Sequence, residues 1–233
     1  MNNPPHIPFA KPVSIKNTPI SFVTVIKNRT NIVVEHDGKQ IALKLFENNL
    51  RSLINLINDS DTWEFNIIDF SSTDVNMKEF IISLPKKQNL KFKIYTITED
   101  FNKGMGLNYG AKVVTHPIVF FLDADMIIKT RELFNDIETY VVKQNKVLFP
   151  ICWSYSDPSH STGWSRHSGV GNVIQKKETI IPYIEKSSYG KEDSVNAYHY
   201  RKAKMSHRTY YEQDFCHQWH PIYIRHIHYI DKA

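Results

Sequence analysis

From residue 20 to residue 128 the chain alternates short apolar runs with stretches of helical spacing, and this alternation limits the folds open to it. Four runs have the composition of β-strands: ISFVTVIKN at 20–28, WEFNIID at 63–69, LKFKIYTIT at 90–98 and HPIVFFL at 116–122. Helical patterns separate several of them, at about 43–58 and 77–84. Strands that alternate with helices predict an α/β fold, an open and mostly parallel sheet with helices on both faces.

Two segments between these runs add detail to that prediction. NIVVEHDGKQIALKLF carries Asp37-Gly38 between apolar stretches, which favours a β-hairpin, although its second half could equally open the helix at 43–58. EDFNKGMGLNYGAKVVTH predicts a loop that leads into a helix. In that helix the small residues Gly106, Gly110 and Ala111 permit close packing on the sheet.

The chain of 233 residues has room for one domain of this class. Proline and asparagine crowd its beginning, so we predict a loosely held arm at 1–19 and a single domain at 20–233. After Ile128 the pattern changes to a helix at about 131–144 and the strand KVLFPICW. A loop at 154–171, rich in Ser, Gly, His and Trp, follows, and loops of that length are usually functional or mobile.

Charge and cysteine content narrow the function classes. A net charge of +5 fits an anionic small substrate or a nucleic acid, and equally a basic surface that serves solubility. Cys152 and Cys216 are too few for a disulfide framework and match no zinc spacing, which favours a reducing compartment. MNNPPHIPFAKP lacks a secretory pattern, and no apolar window of about 18 residues occurs, so we expect a soluble, cytoplasmic protein.

Polar side chains follow the predicted strands at the point where each strand ends. Because ligands of open α/β sheets bind at the carboxyl ends of the strands, these side chains should gather at one edge. They are Lys27 to Arg29, Asp69, Asn102 with Lys103, and Asp123 with Asp125.

Asp123-Ala124-Asp125 ends the last of these apolar runs. In an extended strand its two carboxylates point to opposite faces, but where the chain bends both can turn toward one ion. Burying an unpaired polar group beside Phe120 and Phe121 would cost on the order of 2–7 kcal/mol, and an ion more. A divalent cation would remove that cost, which favours metal or nucleotide binding over simple capping of the next helix.

Two further clusters carry candidate chemistry. In FCHQWHP, His217 and His220 are three residues apart, a spacing that places two imidazoles on one side of a turn, although a histidine-rich polar surface would look the same. In YGKEDSVNAYHYRKA, Glu192 and Asp193 stand where a helix should begin. A carboxylate there could accept a proton from an attacking hydroxyl, or the pair could merely suit the helix dipole.

Tryptophans offer a weaker signal, since sugar rings often lie on indole faces. Trp153 and Trp164 have two interpretations of equal weight: contact with sugar, or pinning of a loop to the core. Trp219 lies between the two histidines, and we expect it to pack the histidine loop.

In this order the motifs resemble those of inverting, nucleotide-sugar glycosyltransferases of the GT-A fold. The nearest in pattern are family 2 enzymes of the chondroitin-polymerase sort and the β-1,4-galactosyltransferases. The resemblance covers about residues 20–221, and its specific part is D-A-D followed by G-x-E-D and H-x-x-H. Tyr189 stands where the family usually has tryptophan, and Lys191 where a small residue or arginine is commoner.

For the donor site, the resemblance implies that Asp125 and His220 bind Mn²⁺ (or Mg²⁺) on the donor diphosphate. His217 takes the place of a further ligand in the galactosyltransferases, and Asp123 would lie near the donor ribose or sugar. Other donor contacts would come from Asp69 to the base, expected to be uracil, and from Arg29 and Lys103 around the nucleotide.

For the acceptor, the resemblance implies that Asp193 is the general base and that Glu192 holds an acceptor hydroxyl or the donor sugar. The Gly169-Val170-Gly171 loop would contact the donor sugar. On this interpretation the nucleotide-binding half is about 20–128 and the acceptor-binding, metal-completing half about 129–233.

The predicted function is therefore metal-dependent, inverting transfer of a sugar from a UDP-sugar donor to a hydroxyl of a glycan or glycoconjugate. Two alternatives remain from the residues alone. A sugar nucleotidyltransferase shares the sheet and metal carboxylates, but usually has a glycine-rich loop where this chain has VIKNRTN. A nucleic-acid or zinc-binding protein would suit the basic, histidine-rich second half, yet it gives no reason for the acidic motifs, so no nucleic-acid partner is expected.

Overall fold

Ten strands form one mixed sheet, and a separate two-stranded hairpin stands beside it, in a computed structural model that describes residues 19–185 and 191–221. The strands are β1 (Ile20–Ile26), β2 (Ile32–His36), β3 (Lys39–Leu43), β4 (Trp63–Asp69), β5 (Leu90–Thr96), β6 (Ile118–Phe121), β7 (Met126–Ile128), β8 (Val147–Tyr155), β9 (Gly163–Arg166), β10 (Val173–Lys176), β11 (Ser206–Tyr210) and β12 (Phe215–His217). The α-helices are α1 (Leu45–Leu56), α2 (Met77–Ser83), α3 (Lys103–Val113), α4 (Glu132–Asp136) and α5 (Lys191–Lys202).

The first half of the sheet is parallel, in the order β5-β4-β1-β6. Every residue of β4 and of β6 is buried, as expected for strands covered by helices on both faces. All four strands lie where the apolar runs predict them. The carboxyl ends of these strands share one edge, which is where the candidate site residues lie.

Two apolar cores cover the two faces of the sheet. One contains Phe46 of α1 and Phe134 of α4, together with Phe22 of β1. The other contains Leu107 of α3 and Tyr200 of α5. The predicted α/β architecture with helices on both faces is confirmed.

Helix α3 lies unusually close to β1 because two of its residues lack side chains. A Cβ added to Gly106 would lie 2.6 Å from Val25 Cγ1, and one added to Gly110 would lie 2.3 Å from Val23 Cγ1. The predicted role of these glycines in packing is confirmed. Their close approach fixes the amino end of α3, and with it Lys103, above the end of β1.

The second half of the sheet is mixed and is organised around β8. Strand β10 pairs antiparallel with β6 and β8, and β8 also pairs parallel with β11 and β12. Strand β9 forms an antiparallel pair with the end of β8. The prediction of one continuous loop at 154–171 is therefore wrong. Gly163–Arg166 forms backbone hydrogen bonds with β8, and no short sequence pattern predicts this pairing.

Three other predicted elements are adjusted by the structure. The helix at 131–144 forms, but only its first part is α-helical, and Ile137–Lys143 continues as a π-helix. The hairpin forms around Asp37 and Gly38, and α1 begins only at Leu45, so the hairpin alternative is the correct one. Trp219, which was expected to pack the histidine loop, packs against this hairpin, with its ring 4.9 Å from that of His36.

Some predictions fall on residues that the structure does not describe. The arm at 1–19 does so except for its last residue, and so do Tyr189 and Gly190. Among the described helices, none has both the length and the apolar composition needed to cross a membrane.

Candidate active site

The turn between β6 and β7 carries Asp123 and Asp125 at the carboxyl edge of the sheet. It is held from both sides, because the Thr24 hydroxyl donates to the Leu122 carbonyl at 2.7 Å and the Asp123 N–H donates to Asn172 Oδ1 at 2.9 Å. The buried Asn49 amide donates to the Met126 carbonyl at 2.8 Å. The turn is therefore anchored at both ends, and its carboxylates are held in place.

Pairing between β7 and β12 brings a distant segment to this turn. Met126 lies opposite His217 in the antiparallel ladder, and the Gln218 N–H donates to the Asp125 carbonyl at 2.9 Å. The Gln218 side chain also donates to the Leu45 carbonyl at the start of α1. Because these bonds set the register, the two histidines of this segment face Asp125.

Asp125, His217 and His220 form a compact cluster. One ligand atom from each lies within 4.8 Å of the others. Asp125 Oδ2 is 3.4 Å from His217 Nε2 and 3.2 Å from His220 Nε2. This is the one metal-competent cluster found among the described residues.

Each imidazole is oriented through its other nitrogen. His220 Nδ1 lies 3.1 Å from the Pro221 carbonyl, which can only accept, so the tautomer with its proton on Nδ1 satisfies this contact and leaves Nε2 for a metal. His217 Nδ1 lies 3.2 Å from the hydroxyl of Ser154 on β8. Metal-binding histidines in proteins are almost always held by such an outer contact.

The cluster fits a divalent transition metal. Asp125 Oδ1 is buried and has no hydrogen-bond partner among the described residues, which is costly unless another group meets it. Burial acts to raise the pKa of Asp125, but the two neighbouring imidazoles, His217 first, hold that pKa well below its usual range. Two imidazole nitrogens beside one carboxylate suit Mn²⁺ better than Mg²⁺, which prefers oxygen ligands.

Asp123 points away from this cluster. Its Oδ1 lies 2.9 Å from the ammonium of Lys103, at the first turn of α3. The expectation that both aspartates turn toward one ion is therefore met by Asp125 alone. The physical reason is the tight turn between β6 and β7, in which the Met126 N–H donates to the Asp123 carbonyl and the two side chains diverge.

Lys103 joins three carboxylates from two parts of the chain. Its ammonium lies 2.9 Å from Asp193 Oδ2 and 3.9 Å from Glu192 Oε1, in addition to Asp123. Burial acts to lower the pKa of Lys103, but the three carboxylates raise it well above its ordinary value, so the side chain stays charged. The structure thus places Lys103 among candidate catalytic acids, in a role that its sequence position did not suggest.

Asp193 lies near the start of α5 and is buried. Burial raises the pKa of Asp193 to about 6; the Lys103 charge opposes this, and Asp123 and Glu192 add to it. A carboxyl with such a pKa is ionised at neutral pH yet is a stronger base than an exposed aspartate.

Gly171 lies directly against this group. A Cβ on Gly171 would be 2.7 Å from Asp123 Oδ2 and 3.2 Å from Asp193 Oδ2. Only a residue without a side chain leaves both carboxylates in place.

One cavity at the carboxyl edge contains most of the predicted site residues. Among the described residues, its wall includes Arg29, Lys103, Asp123, Asp125, Asp193, His217 and Gly169 to Asn172. Glu192 and His220 do not line this cavity themselves. Each contacts a residue that does: Glu192 lies beside Lys103, and His220 lies beside Asp125. Asp69 is buried at the end of β4, where it accepts the Ser72 N–H at 3.0 Å, and it does not line this cavity.

Arg29 is carried into the cavity wall by a loop that a second loop supports. The carboxylate of Asp74 accepts the N–H groups of Thr30 and Asn31 at 2.7 and 2.8 Å. The Asn28 side chain accepts the Thr73 N–H at 2.7 Å. Loops after β1 and β4 are therefore tied together at the predicted nucleotide end.

Two cavity residues were not singled out by the sequence. Cys152 is a buried thiol on β8 whose pKa burial raises to about 12, so it stays protonated and is no nucleophile at neutral pH. Arg166 lies opposite it on β9. The segment GWSRHS contains no sequence motif that predicts a site, because β9 is recognisable as a strand only from its pairing with β8.

Comparison with known proteins decides the family. Residues 42–225 match the model of the family described as glycosyl transferase family 2. The chain belongs to glycosyl transferase family 2. Membership decides for a glycosyltransferase over the nucleotidyltransferase and nucleic-acid-binding alternatives.

Curated relatives of this family 2 glycosyltransferase are distant. Chondroitin sulfate N-acetylgalactosaminyltransferase 2 of Mus musculus is 21% identical over 191 residues, which cover 80% of this chain and 32% of the relative. The human protein of the same name matches equally. The chain thus spans about a third of the length of the curated relatives it matches.

Solved structures share the fold. S. aureus TarS 1-349 in complex with UDP-GlcNAc has a TM-score of 0.63 at 14% identity, covering 87% of this chain and 59% of that one. The mannosyltransferase PcManGT from Pyrobaculum calidifontis, in complex with GDP-Man and Mn²⁺, has a TM-score of 0.59 at 14% identity, covering 84% and 56%. The predicted GT-A fold is confirmed.

Proposed function

We propose that this family 2 glycosyltransferase moves a sugar from a UDP-sugar to a saccharide hydroxyl, with a divalent metal and with inversion at the anomeric carbon. The observation that carries the proposal is the adjacency of two clusters on one cavity wall. Asp125, His217 and His220 form one, and Lys103, Asp123 and Asp193 form the other. Asp123 and Asp125 are one residue apart and join the two.

The first cluster is the metal site. Asp125 and both imidazoles would hold Mn²⁺, with Ser154 and the Pro221 carbonyl keeping the rings oriented. A bound Mn²⁺ would offset the negative charge that develops on a diphosphate leaving group. Support for the metal comes from the unpartnered Asp125 Oδ1 and from the Mn²⁺ of the PcManGT complex.

The second cluster performs the proton transfer. Asp193 accepts the proton of the acceptor hydroxyl as its oxygen forms a bond to the anomeric carbon, while the bond from that carbon to the diphosphate breaks and UDP leaves with the electron pair. Lys103 keeps Asp193 ionised and aimed, since its ammonium is 2.9 Å away. Glu192, also buried, holds an acceptor hydroxyl or the donor sugar.

One general base, and a diphosphate that leaves without protonation by an acid, imply a single displacement with inversion. The Cys152 thiol of the cavity stays protonated, and the carboxylates of Asp123 and Asp193 are paired with Lys103, so the proposal uses no covalent sugar intermediate. Arg29 faces the nucleotide, and Asp69 remains a predicted contact of the base at the neighbouring strand end. The division into a nucleotide-binding half at 20–128 and an acceptor-binding half at 129–233 belongs to the same proposal.

Uridine as the donor base is supported by the UDP-GlcNAc of the TarS complex, although the GDP-Man of PcManGT shows that this fold also serves guanosine. The choice is open to direct measurement. The purified protein is titrated calorimetrically with UDP and with GDP, with and without Mn²⁺, and Asp125→Ala serves as the control variant. We expect UDP to bind selectively, only with Mn²⁺, and not to the variant; UDP binding that ignores both Mn²⁺ and the substitution would contradict the metal assignment.

A further inference from the structure

Strand β9 presents an indole and a guanidinium on the face that continues from the metal cluster. In the β8–β9 ladder, Trp164 lies opposite Ser154 and Arg166 lies opposite Cys152. Residues opposite each other in a ladder share a face of the sheet, as do alternate residues of one strand. Ser154 contacts His217, and Cys152 lines the cavity, so both β9 side chains lie on the active-site side.

The Arg166 side chain is available for a ligand. It lines the cavity and is half-buried, and no carboxylate among the described residues forms an ion pair with its guanidinium. Lys103, by contrast, is fully engaged by Asp123 and Asp193. Unpaired arginines on a cavity wall commonly bind carboxylate or phosphate, whose two oxygens match the planar guanidinium.

Trp164 is exposed for 52% of its surface, which is exceptional for a tryptophan beside a buried site. It is not the loop pin that one interpretation of the sequence allowed. Trp153 has that role instead. Gly163 packs so closely against the Trp153 indole that a Cβ added to Gly163 would lie 2.5 Å from Nε1. Trp164 stands two residues from Arg166, about 6.5 Å along an extended strand, so the two side chains are close enough to contact one saccharide.

The loop that follows β9 is fixed beside these groups. The Arg208 guanidinium donates to the Gly169 carbonyl at 2.8 Å, and the Gly169 N–H donates to the Arg166 carbonyl at 3.2 Å. Ser168 and Gly169 line the cavity next to Arg166. The Arg166 backbone is therefore held from both sides, while its guanidinium faces the cavity.

We propose that β9 is the acceptor subsite and that the acceptor is an anionic saccharide, with a sugar ring on Trp164 and the acid group on Arg166. The inference rests on the proposed function, and it names the acceptor class of that same site. The acid group is a carboxylate of a uronic acid or a phosphate ester, which share the chemistry that a guanidinium recognises.

Arg166 and the two donor cations line the same cavity but come from different parts of the chain. Arg29 and Lys103 come from the first half of the chain, beside the strand ends that carry the nucleotide, whereas β9 belongs to the second half and pairs with β8. An anionic donor phosphate on Arg166 is nevertheless a distinguishable outcome of the test.

Three matched probes are used: methyl β-D-glucopyranoside, methyl β-D-glucopyranosiduronate and methyl β-D-glucopyranoside 6-phosphate. Their affinities are measured by ligand-observed NMR titration of the full chain, with UDP and Mn²⁺ present and again without them. We expect at least one of the two acids to bind about 10-fold or more tighter than the neutral glucoside, since hydrogen bonds to charged groups have that worth. The acid that binds more tightly shows whether the acid group of the acceptor is a carboxylate or a phosphate.

Arg166→Ala should abolish the preference for the acid while leaving UDP affinity unchanged, and Trp164→Ala should weaken all three probes alike. Trp164→Phe should restore most of the loss. Arg51→Ala, which removes an exposed arginine on α1, is the matched control and should change nothing.

Equal binding of acid and neutral probes, or of none, would overturn the proposal. So would an acid preference that survives Arg166→Ala. A loss of UDP affinity in Arg166→Ala would move the residue to the donor site and likewise overturn it. Absence of UDP binding by the unaltered protein, with the acid preference intact, would instead remove the proposed function and keep the anionic-sugar face.

Discussion

Asp123 and Asp125 are separated by one residue but occupy opposite chemical surroundings. Asp125 faces two imidazoles, which are neutral when they bind a metal, so its cluster has one negative charge and room for a cation. Asp123 shares a single ammonium, that of Lys103, with Asp193 and Glu192.

The difference shows how one turn can serve two kinds of chemistry. The histidine cluster has a negative charge that a bound cation would neutralise. The lysine cluster already contains its cation, and burial, together with the neighbouring carboxylates, raises the pKa of Asp193 to about 6. On the proposed function, metal binding and proton transfer are separated by the directions in which the side chains of Asp123 and Asp125 leave one turn. Each of the following experiments perturbs one of these two clusters.

The largest effect is expected from Asp193→Asn, which removes the base and keeps its shape. Turnover should fall by roughly 10²–10⁴-fold, because proton transfer to a positioned base is lost. Binding of UDP with Mn²⁺ should be unchanged, since the histidine cluster is untouched. Initial rates of UDP release with acceptor, together with calorimetry, measure both quantities.

Asp37→Asn is the matched control, because Asp37 is an exposed hairpin residue whose left-handed backbone (φ 50°) asparagine tolerates. It should leave the rate unaltered. Near-normal turnover of Asp193→Asn would remove Asp193 from the role of base.

Gly171→Ala should cost less, but still up to about 10²-fold in turnover. The added methyl group would displace the carboxylates of Asp123 and Asp193, and a displacement of about 1 Å can have that effect. Gly169→Ala is the matched comparison, because its Cβ would meet nothing nearer than 3.4 Å, and its loss should be far smaller. Equal losses in the two variants would show that the loop as a whole, and not the contact at Gly171, matters.

His220→Ala addresses the other cluster. Mn²⁺-dependent binding of UDP should weaken by at least about 10-fold. Loss of a residue that only supports a metal ligand already lowers metal affinity by about that factor, and loss of a ligand should cost at least as much. The apparent pKa of Asp193 should not move, because His220 is not among the groups that shift it. Mn²⁺ titrations followed by calorimetry, with the exposed His199→Ala as control, measure the effect. Unchanged titrations would return His220 to a purely structural role.

Much of the first half of the molecule follows from local pattern. Strand runs, the glycines of α3 and the convergence of Arg29, Lys103, Asp123 and Asp125 at one edge are consequences of periodicity and of parallel topology, which act within short stretches of chain. Asp69 shows the limit of that rule. It ends β4 at the same edge, yet its carboxylate turns back to the Ser72 N–H and leaves the cavity wall.

The second half depends on contacts between distant residues. Lys103 meets Asp193 across 90 positions of sequence, and no spacing within either segment predicts that they touch. Strand β9 is equally hidden, because Gly163–Arg166 is polar and short and becomes a strand only by pairing with β8. Arg166, the most informative residue for the acceptor, was missed for this reason.

The smallest effect near neutrality is the pH dependence, and it tests the lysine cluster without altering the fold. Asp193 acts only when ionised, so kcat/KM should be level above its pKa of about 6, halve there, and fall about tenfold per unit below it. Lys103→Met should move this acid limb upward by about 1–3 units, because a nearby opposite charge lowers the pKa of a carboxyl by that amount. Lys112→Met, an exposed residue of α3, should leave the limb in place. Circular dichroism melts would identify a Lys103→Met protein that has lost its fold. If a folded Lys103→Met variant kept its acid limb at pH 6, the residue that titrates there would not be the aspartate that Lys103 contacts, and the proton would have to leave the acceptor by another carboxylate of the cavity, with Glu192 the first to replace.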